Sequence, residues 1–310
     1  MGIHGFFQIK ILNKESTFKN HLISQIGETV SLKKFKGKRL CNDASLMIYQ
    51  SILALEKVQK LTDADGNMTG HIKIIFDKII QQKQAGIIQI WIFDSPIANS
   101  IKKLETIKRN SRKEKGEYKL NEQHVHDIQF LLNKLGIMYI VAPSGIEAEQ
   151  YGAYLTKGNL KDDRFCQYMI SGDSDVLFFG GNLLRISSGK GSTGKTKKTV
   201  YQVYELNDIL NECGIDYNQL LKVGVILGSD FNEKAPGIGP ITVMKKYADV
   251  YVTPTMKTAM DYFKSDISEK LTQADIIEGR YDRDAIINFL ISKKFNKDNI
   301  EKRLTDFEKV

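Results

Sequence analysis

At 310 residues and 42% hydrophobic content, the chain can bury a full core, as one large α/β domain or as a domain with a small lobe. No apolar run approaches the ~18 residues of a membrane span. The start Met1-Gly2-Ile3-His4-Gly5-Phe6-Phe7 lacks the basic residues and apolar core of a signal peptide. A spanning or secreted protein is therefore not expected, and an intracellular protein without a membrane partner is. The net charge of +8 suits an acidic partner, although a solvated surface accounts for it equally well.

Residues 1–37 are Gly-punctuated and then mixed in character. Residues 38–43 read as a short strand ending in Asp43, and residues 46–61 have helical periodicity. Thr62 to Asn67 form a turn, not a calcium loop, because Gly66 comes too early and Ile74 stands where a bidentate Glu belongs. A helix over 71–84 precedes an apolar strand over 87–93 that ends at Asp94. This alternation predicts a parallel sheet covered by helices. Residues 101–115 predict a charged helix that carries Lys102, Lys103, Lys108, Arg109 and Arg112, suited to phosphate or simply to solvent.

A helix over 121–135 and a strand over 137–141 follow, then Pro143, Gly145 and a helix opened by Glu147-Ala148-Glu149. The apolar run at 168–171 breaks at Gly172, and Asp173 and Asp175 come next. Gly189 to Thr196 satisfies the pattern G-x-x-x-x-G-K-T. A phosphate loop needs a helix after it, whereas residues 197–204 alternate like a strand, so a basic hairpin tip is expected. Helices over 206–213 and 217–227 lead to Gly228-Ser229-Asp230 and to Pro236-Gly237-Ile238-Gly239-Pro240-Ile241-Thr242, with a helix to Tyr247. A helix–Gly-Ile-Gly-Pro–helix turn aims backbone N–H groups at a DNA phosphate, or is an ordinary helical hairpin. The tail from residue 281 reads as two amphipathic helices. Cys41, Cys166 and Cys213 lack metal-ligand spacing and read as reduced core thiols.

Asp43, Asp94, Glu147, Glu149, Asp173, Asp175 and Asp230 thus all lie where strands or helices end. Any one of them is explained by capping. Recurrence is not, because ligands gather at the carboxyl ends of strands in open α/β sheets. Close carboxylates repel until a cation joins them, and hard oxygen ligands favour Mg²⁺ or Mn²⁺.

In this order the motifs resemble the flap endonuclease branch of the XPG nuclease family. The likeness runs from Met1-Gly2-Ile3-His4-Gly5 and Asp43-Ala44-Ser45-x-x-Ile48-Tyr49-Gln50 through Phe93-Asp94, Glu147-Ala148-Glu149 and Asp173-x-Asp175. It continues through Leu227-Gly228-Ser229-Asp230 and Gly237-Ile238-Gly239-Pro240 to the 284–304 tail. The resemblance implies an α/β, PIN-like fold, a twisted, mostly parallel sheet flanked by helices. It implies two Mg²⁺ or Mn²⁺ ions, the first served by Asp43, Asp94, Glu147 and Glu149, the second by Asp173, Asp175 and Asp230. A monovalent cation at the 228–240 hairpin is also implied. Lys102 and Arg109 match the family's basic pair. One extra residue after Asp94 leaves Lys103 and Lys108 as alternatives, with Arg112 a further DNA contact. Tyr49 matches a base-stacking aromatic, Gly2 a residue packed beside the site, and Gly237, Gly239 and Thr242 a phosphate-binding turn.

One nuclease domain over 1–310 is expected. Its parts are an N-terminal region 1–110, an arch shortened to 111–123, an internal region 124–230, a helix-hairpin-helix element 217–247 and C-terminal helices 248–310. Pro143-Ser144-Gly145-Ile146 adds two residues before Glu147 relative to the family pattern. No clamp-binding tail is evident, a monomer is expected, and the abundance of Lys, Ile and Asn suits an AT-rich genome such as a virus's. The expected activity is metal-dependent DNA cleavage at 5′ flaps. A junction- or bubble-cutting nuclease and a non-cleaving DNA-structure binder are the alternatives.

Overall fold

The computed structural model describes residues 2–13, 22–56, 61–96, 120–157, 165–190 and 197–309. After a short β1 (Glu28–Val30) come β2 (Arg39–Asp43), α1 (Ala44–Glu56), α2 (Gly70–Gln84) and β3 (Ile88–Phe93). The middle of the chain supplies α3 (Glu122–Lys134), β4 (Met138–Val141), α4 (Ala148–Thr156), β5 (Tyr168–Ser171) and α5 (Asp175–Phe178). Next are β6 (Leu183–Lys190), β7 (Lys197–Tyr204), α6 (Leu206–Cys213), α7 (Tyr217–Leu227) and α8 (Val243–Lys246). The chain closes with α9 (Pro254–Lys264), β8 (Asp275–Ile277), α10 (Arg283–Ser292) and α11 (Lys297–Glu308).

The strands form one eight-stranded sheet in the order β1-β7-β6-β5-β2-β3-β4-β8. Its centre is parallel: β2 pairs with β3 and β5, β3 with β4, and β5 with β6. Both faces of these strands are covered, which is why they read as near-continuous apolar runs. One face carries Cys41, Ile90, Ile92 and Met169 against α4, α5, α7, α9 and the N-terminal segment. The other carries Leu40, Trp91, Phe93 and Ile170 against α1, α2, α3, α10 and α11.

The sheet is mostly parallel, as expected, and its margins are antiparallel at the β6–β7, β1–β7 and β4–β8 pairs. Lys190 pairs with Lys197 across the hairpin, so a strand rather than a helix follows G-x-x-x-x-G-K-T and the phosphate-loop reading fails; the tip itself, 191–196, lies outside the described residues. The helix expected up to Tyr247 stops at Lys246 and gives way to a 3₁₀ turn, Tyr247–Asp249. The three cysteines are buried and unbridged, as expected. Among the described residues no helix is long and apolar enough to cross a membrane.

Where α2 meets α3, a buried histidine pair makes the fold acid-sensitive. His71 is fully buried, and neither ring nitrogen has a hydrogen-bond partner. Its ring meets His124 edge-on, with centroids 4.7 Å apart. The Nδ1 of His124 accepts the Asn121 N–H at 3.3 Å in the box that caps α3. Burial, then the neighbouring His124 and Lys293, push His71 from 6.5 down to about 3. Burial also lowers His124, against the pull of Asp127. A base whose pKa is depressed by folding contributes full stability above 6.5, and loses it as pH falls towards the folded value. From His71 alone the loss at pH 5 is about 2 kcal/mol. Urea unfolding of wild type and His71→Phe at pH 7.5 and pH 5 should show the pH-dependent difference shrinking by about that amount in the variant. Equal pH dependence in the two proteins would contradict a neutral, buried His71.

Candidate metal centre

The parallel strands set the site. Because β5, β2, β3 and β4 are adjacent and run the same way, the residues just after them share one edge of the sheet. Asp43 is the last residue of β2, and Asp94 directly follows β3. Beyond β4 the chain turns through Pro143 and Gly145, and Glu147 becomes the N-cap of α4 with Glu149 in its first turn. Beyond β5, Asp173 lies in the turn and Asp175 opens α5. Asp43, Glu147, Asp173, Asp175 and Asp230 are buried, Glu149 is half-buried and Asp94 is exposed.

Local hydrogen bonds aim these groups. The Asp43 carboxylate accepts the Leu46 N–H of α1 at 2.9 Å. Asp94 accepts the Ala148 N–H at 2.9 Å, fastening the end of β3 to the start of α4, and its own N–H donates to Ser45 Oγ at 3.1 Å. Ser171 Oγ donates to Glu149 at 3.4 Å and accepts the Asp173 N–H at 3.1 Å, so one hydroxyl spans α4 and the turn after β5. Asp173 also accepts the Ser174 N–H at 2.6 Å.

The N-terminal segment brings Asp230 to the same edge. The Ile3 N–H donates to Ser174 Oγ at 3.2 Å, and the His4 N–H donates to the Gly228 carbonyl at 3.1 Å. Gly2 has φ +79°, and a Cβ built there would fall 1.5 Å from Asp173 Oδ1. Only a residue with no side chain fits between the chain start and that carboxylate.

The side chains converge without closing on one another: among the described residues, no three Asp, Glu, His or Cys side chains are close enough to hold an ion between them. Like charges keep apart, and Asp43, Asp94, Glu149 and Asp173 turn to N–H and O–H donors. The donor set nevertheless fits a hard divalent cation, since every candidate ligand is a carboxylate oxygen and the Gly2 cradle leaves Asp173 room on the shared edge.

Tyr49 lies half-buried on α1, the helix that follows Asp43. Gln50, its neighbour, packs against the turn after β5: a Cβ on Gly172 would fall 2.9 Å from Gln50 Nε2. After α7, Gly237 turns at φ +70° with open space above it, as has Gly239. Thr242 caps α8, and its hydroxyl accepts the Gly239 N–H at 3.2 Å. Lys102, Lys103, Lys108, Arg109 and Arg112 lie outside the described residues, as does most of the shortened arch. The sequence reading missed the docking of the N-terminal segment on the hairpin, where the Lys10 N–H donates to the Pro240 carbonyl at 3.2 Å.

Residues 1–116 match the XPG N-terminal domain, and residues 136–230 match the XPG I-region. The chain belongs to the XPG family. Among curated relatives, flap endonuclease 1 of Nanoarchaeum equitans is 27% identical over 326 aligned positions, covering 93% of each chain. Flap endonuclease-1 from Methanococcus jannaschii superposes with a TM-score of 0.70 at 23% identity, over 91% of this chain and 95% of that one. The catalytic core of Rad2 in complex with DNA substrate gives 0.69 at 21%, over 92% and 97%. The shared fold is the α/β, PIN-like fold.

Proposed function

We propose that this XPG-family chain is a metal-dependent, structure-selective DNA nuclease that hydrolyses phosphodiester bonds at 5′ flaps or single-strand/duplex junctions. The observation that carries the reading is the gathering of Asp43, Asp94, Glu147, Glu149, Asp173, Asp175 and Asp230 around one edge of the sheet, with Gly2 packed against Asp173. Asp43, Asp94, Glu147 and Glu149 would hold one Mg²⁺ or Mn²⁺, and Asp173, Asp175 and Asp230 a second. Bound divalent ions supply a lowered water pKa and charge stabilisation for the leaving 3′ oxygen. The Ala148 N–H and Ser171 hydroxyl orient Asp94 and Glu149. Tyr49 stacks on a base beside the cut. The turn built by Gly237, Gly239 and Thr242, which the Thr242 hydroxyl closes on the Gly239 N–H, lies against a phosphate, and a monovalent cation sits in the 228–240 hairpin. Lys102 and Arg109, with Lys103, Lys108 and Arg112 beside them, counter charge on the scissile phosphate.

The protein acts as a monomeric single domain on DNA, in the nucleus or wherever the genome it serves is replicated. A non-cleaving binder is disfavoured because none of the carboxylates is replaced. The test is a panel of 5′-labelled flap, nicked, bubble, four-way and blunt DNAs with Mg²⁺ or with EDTA. Cleavage near the junction of flaps in Mg²⁺ and none in EDTA is expected. The short segment between Arg109 and His124 leaves too little chain for a long arch. Partial cutting of bubbles, and of flaps whose 5′ end is blocked by streptavidin beforehand, is therefore expected as well. Undiminished cutting in EDTA would sink the metal reading. Complete protection by a block added first would sink the open-arch reading.

A further inference from the structure

Among the described residues, Arg185 is a half-buried cation without an anion. Its Nε is buried and has no hydrogen-bond partner, and no carboxylate among the described residues pairs with it. A guanidinium carries donors and no acceptor, and taking one out of water without a counter-charge is costly. The surrounding residues hold it in place. The guanidinium carbon lies 3.7 Å from the centroid of the Phe7 ring, a cation–π stack. Phe7 packs in turn on Tyr204, with ring centroids 5.0 Å apart. The buried Tyr204 hydroxyl is within reach of Arg185 and donates to the Ser24 carbonyl at 3.1 Å.

The stack stands next to the carboxylate edge. Arg185 pairs in register with Ser171, the last residue of β5, whose hydroxyl holds Glu149 and the Asp173 N–H. Side chains two apart on a strand share a face. Leu183 belongs to the core on the N-terminal-segment side, so Arg185 rises on that side too, with Met169 and Ser171. Phe7 lies five residues after Gly2, which abuts Asp173, so the segment that lines the metal site also carries the platform for the guanidinium.

We propose that Arg185 is a DNA phosphate-binding residue, presented by the Phe7–Tyr204 stack beside the turn that carries Asp173. The inference rests on the nuclease reading and adds a contact to it. The missing anion is a backbone phosphate of the strand that passes the site. The fork geometry of arginine suits two phosphate oxygens, and the aromatic stack fixes its plane in advance.

The test measures Kd for a 5′-flap DNA against salt, with Ca²⁺ in place of Mg²⁺, for wild type, Arg185→Gln and Arg185→Lys. The slope of log Kd against log salt should fall by about one in the glutamine variant and stay near wild type in the lysine variant. Single methylphosphonate substitutions along the substrate then locate the contact. One neutralised phosphate near the junction should weaken wild-type binding several-fold and leave Arg185→Gln unchanged. Melting temperatures separate folding from binding, and Arg185→Met, which keeps an apolar stem on Phe7, gives the same readout if the glutamine variant does not fold. A wild-type slope and affinity in these variants, or an altered Mg²⁺ requirement with unaltered DNA binding, would overturn the proposal and assign Arg185 to the carboxylates instead. Failure of wild type itself to bind any of the DNA panel would take down the nuclease reading, a different outcome from a wild type that binds with Arg185 silent.

Discussion

Replacing Asp175 with alanine is expected to reduce the single-turnover cleavage rate at saturating Mg²⁺ by on the order of a thousandfold. Binding of a flap substrate in Ca²⁺ should stay close to wild type. Asp175 is almost wholly buried at the first position of α5, next to the turn that carries Asp173. Its proposed work is to hold an ion, whereas the phosphates of the substrate are gripped by basic side chains and by the N–H groups of the 237–242 turn. The folded state should tolerate the change. A buried carboxylate on an edge shared with like charges contributes little stability of its own, and Val176 and Leu177 keep their places in the core. Melting temperature, metal affinity and cleavage rate should therefore separate cleanly. Wild-type turnover by this variant would remove Asp175 from the ligand set, and equal loss of binding and rate would make its role structural.

The parts of this molecule that were legible in its sequence share a physical cause. Residues 88–93 and 168–171 are apolar because both faces of a central parallel strand are covered, so their ends, and the acidic residues after them, stand out against the run. The helices over 70–84, 122–134 and 217–227 announce themselves by periodicity and, in the last two, by capping residues at Asn121 and Asp216. The edges were not legible. β1 and β8 have three residues each with little burial, so no alternation is written into them, and pairing with β7 and β4 alone makes them strands. The helix Pro254–Lys264 had two available signals, the Thr253-Pro254 pair that supplies an N-cap and a first-turn proline, and the helical spacing of Met256, Ala259, Met260 and Phe263. In the site, the acidic positions could be read, but their supports could not. The Asp94–Ala148 bond, the double use of Ser171 and the seating of Phe7 under Arg185 join residues far apart in sequence, and local pattern carries no trace of such pairings.

Gly2→Ala is expected to be the most damaging change that leaves every charged residue in place, with the cleavage rate falling by roughly a hundredfold, the scale of a reacting group displaced by about 1 Å. Two effects add. At φ +79° an L side chain is strained by roughly 1–2 kcal/mol. The new methyl would also occupy the position of Asp173 Oδ1, only 1.5 Å away, and Asp173 Cγ would be 2.6 Å away. One partner has to move. The chain start is tied by the Ile3 N–H to Ser174 and by the His4 N–H to Gly228, and it is packed through Phe6 into the core. The carboxylate is the end of a short side chain that turns about its own bonds, so Asp173 should rotate away from the shared edge. The expected signature is a raised Mg²⁺ requirement together with a lowered rate. Isothermal titration with Mn²⁺ and cleavage rates over a range of Mg²⁺ concentrations would test it. If the alanine variant bound Mn²⁺ and cut DNA like wild type, Asp173 would not depend on the space at Gly2, and the proposed second-ion site would have to be rebuilt around Asp175 and Asp230 alone.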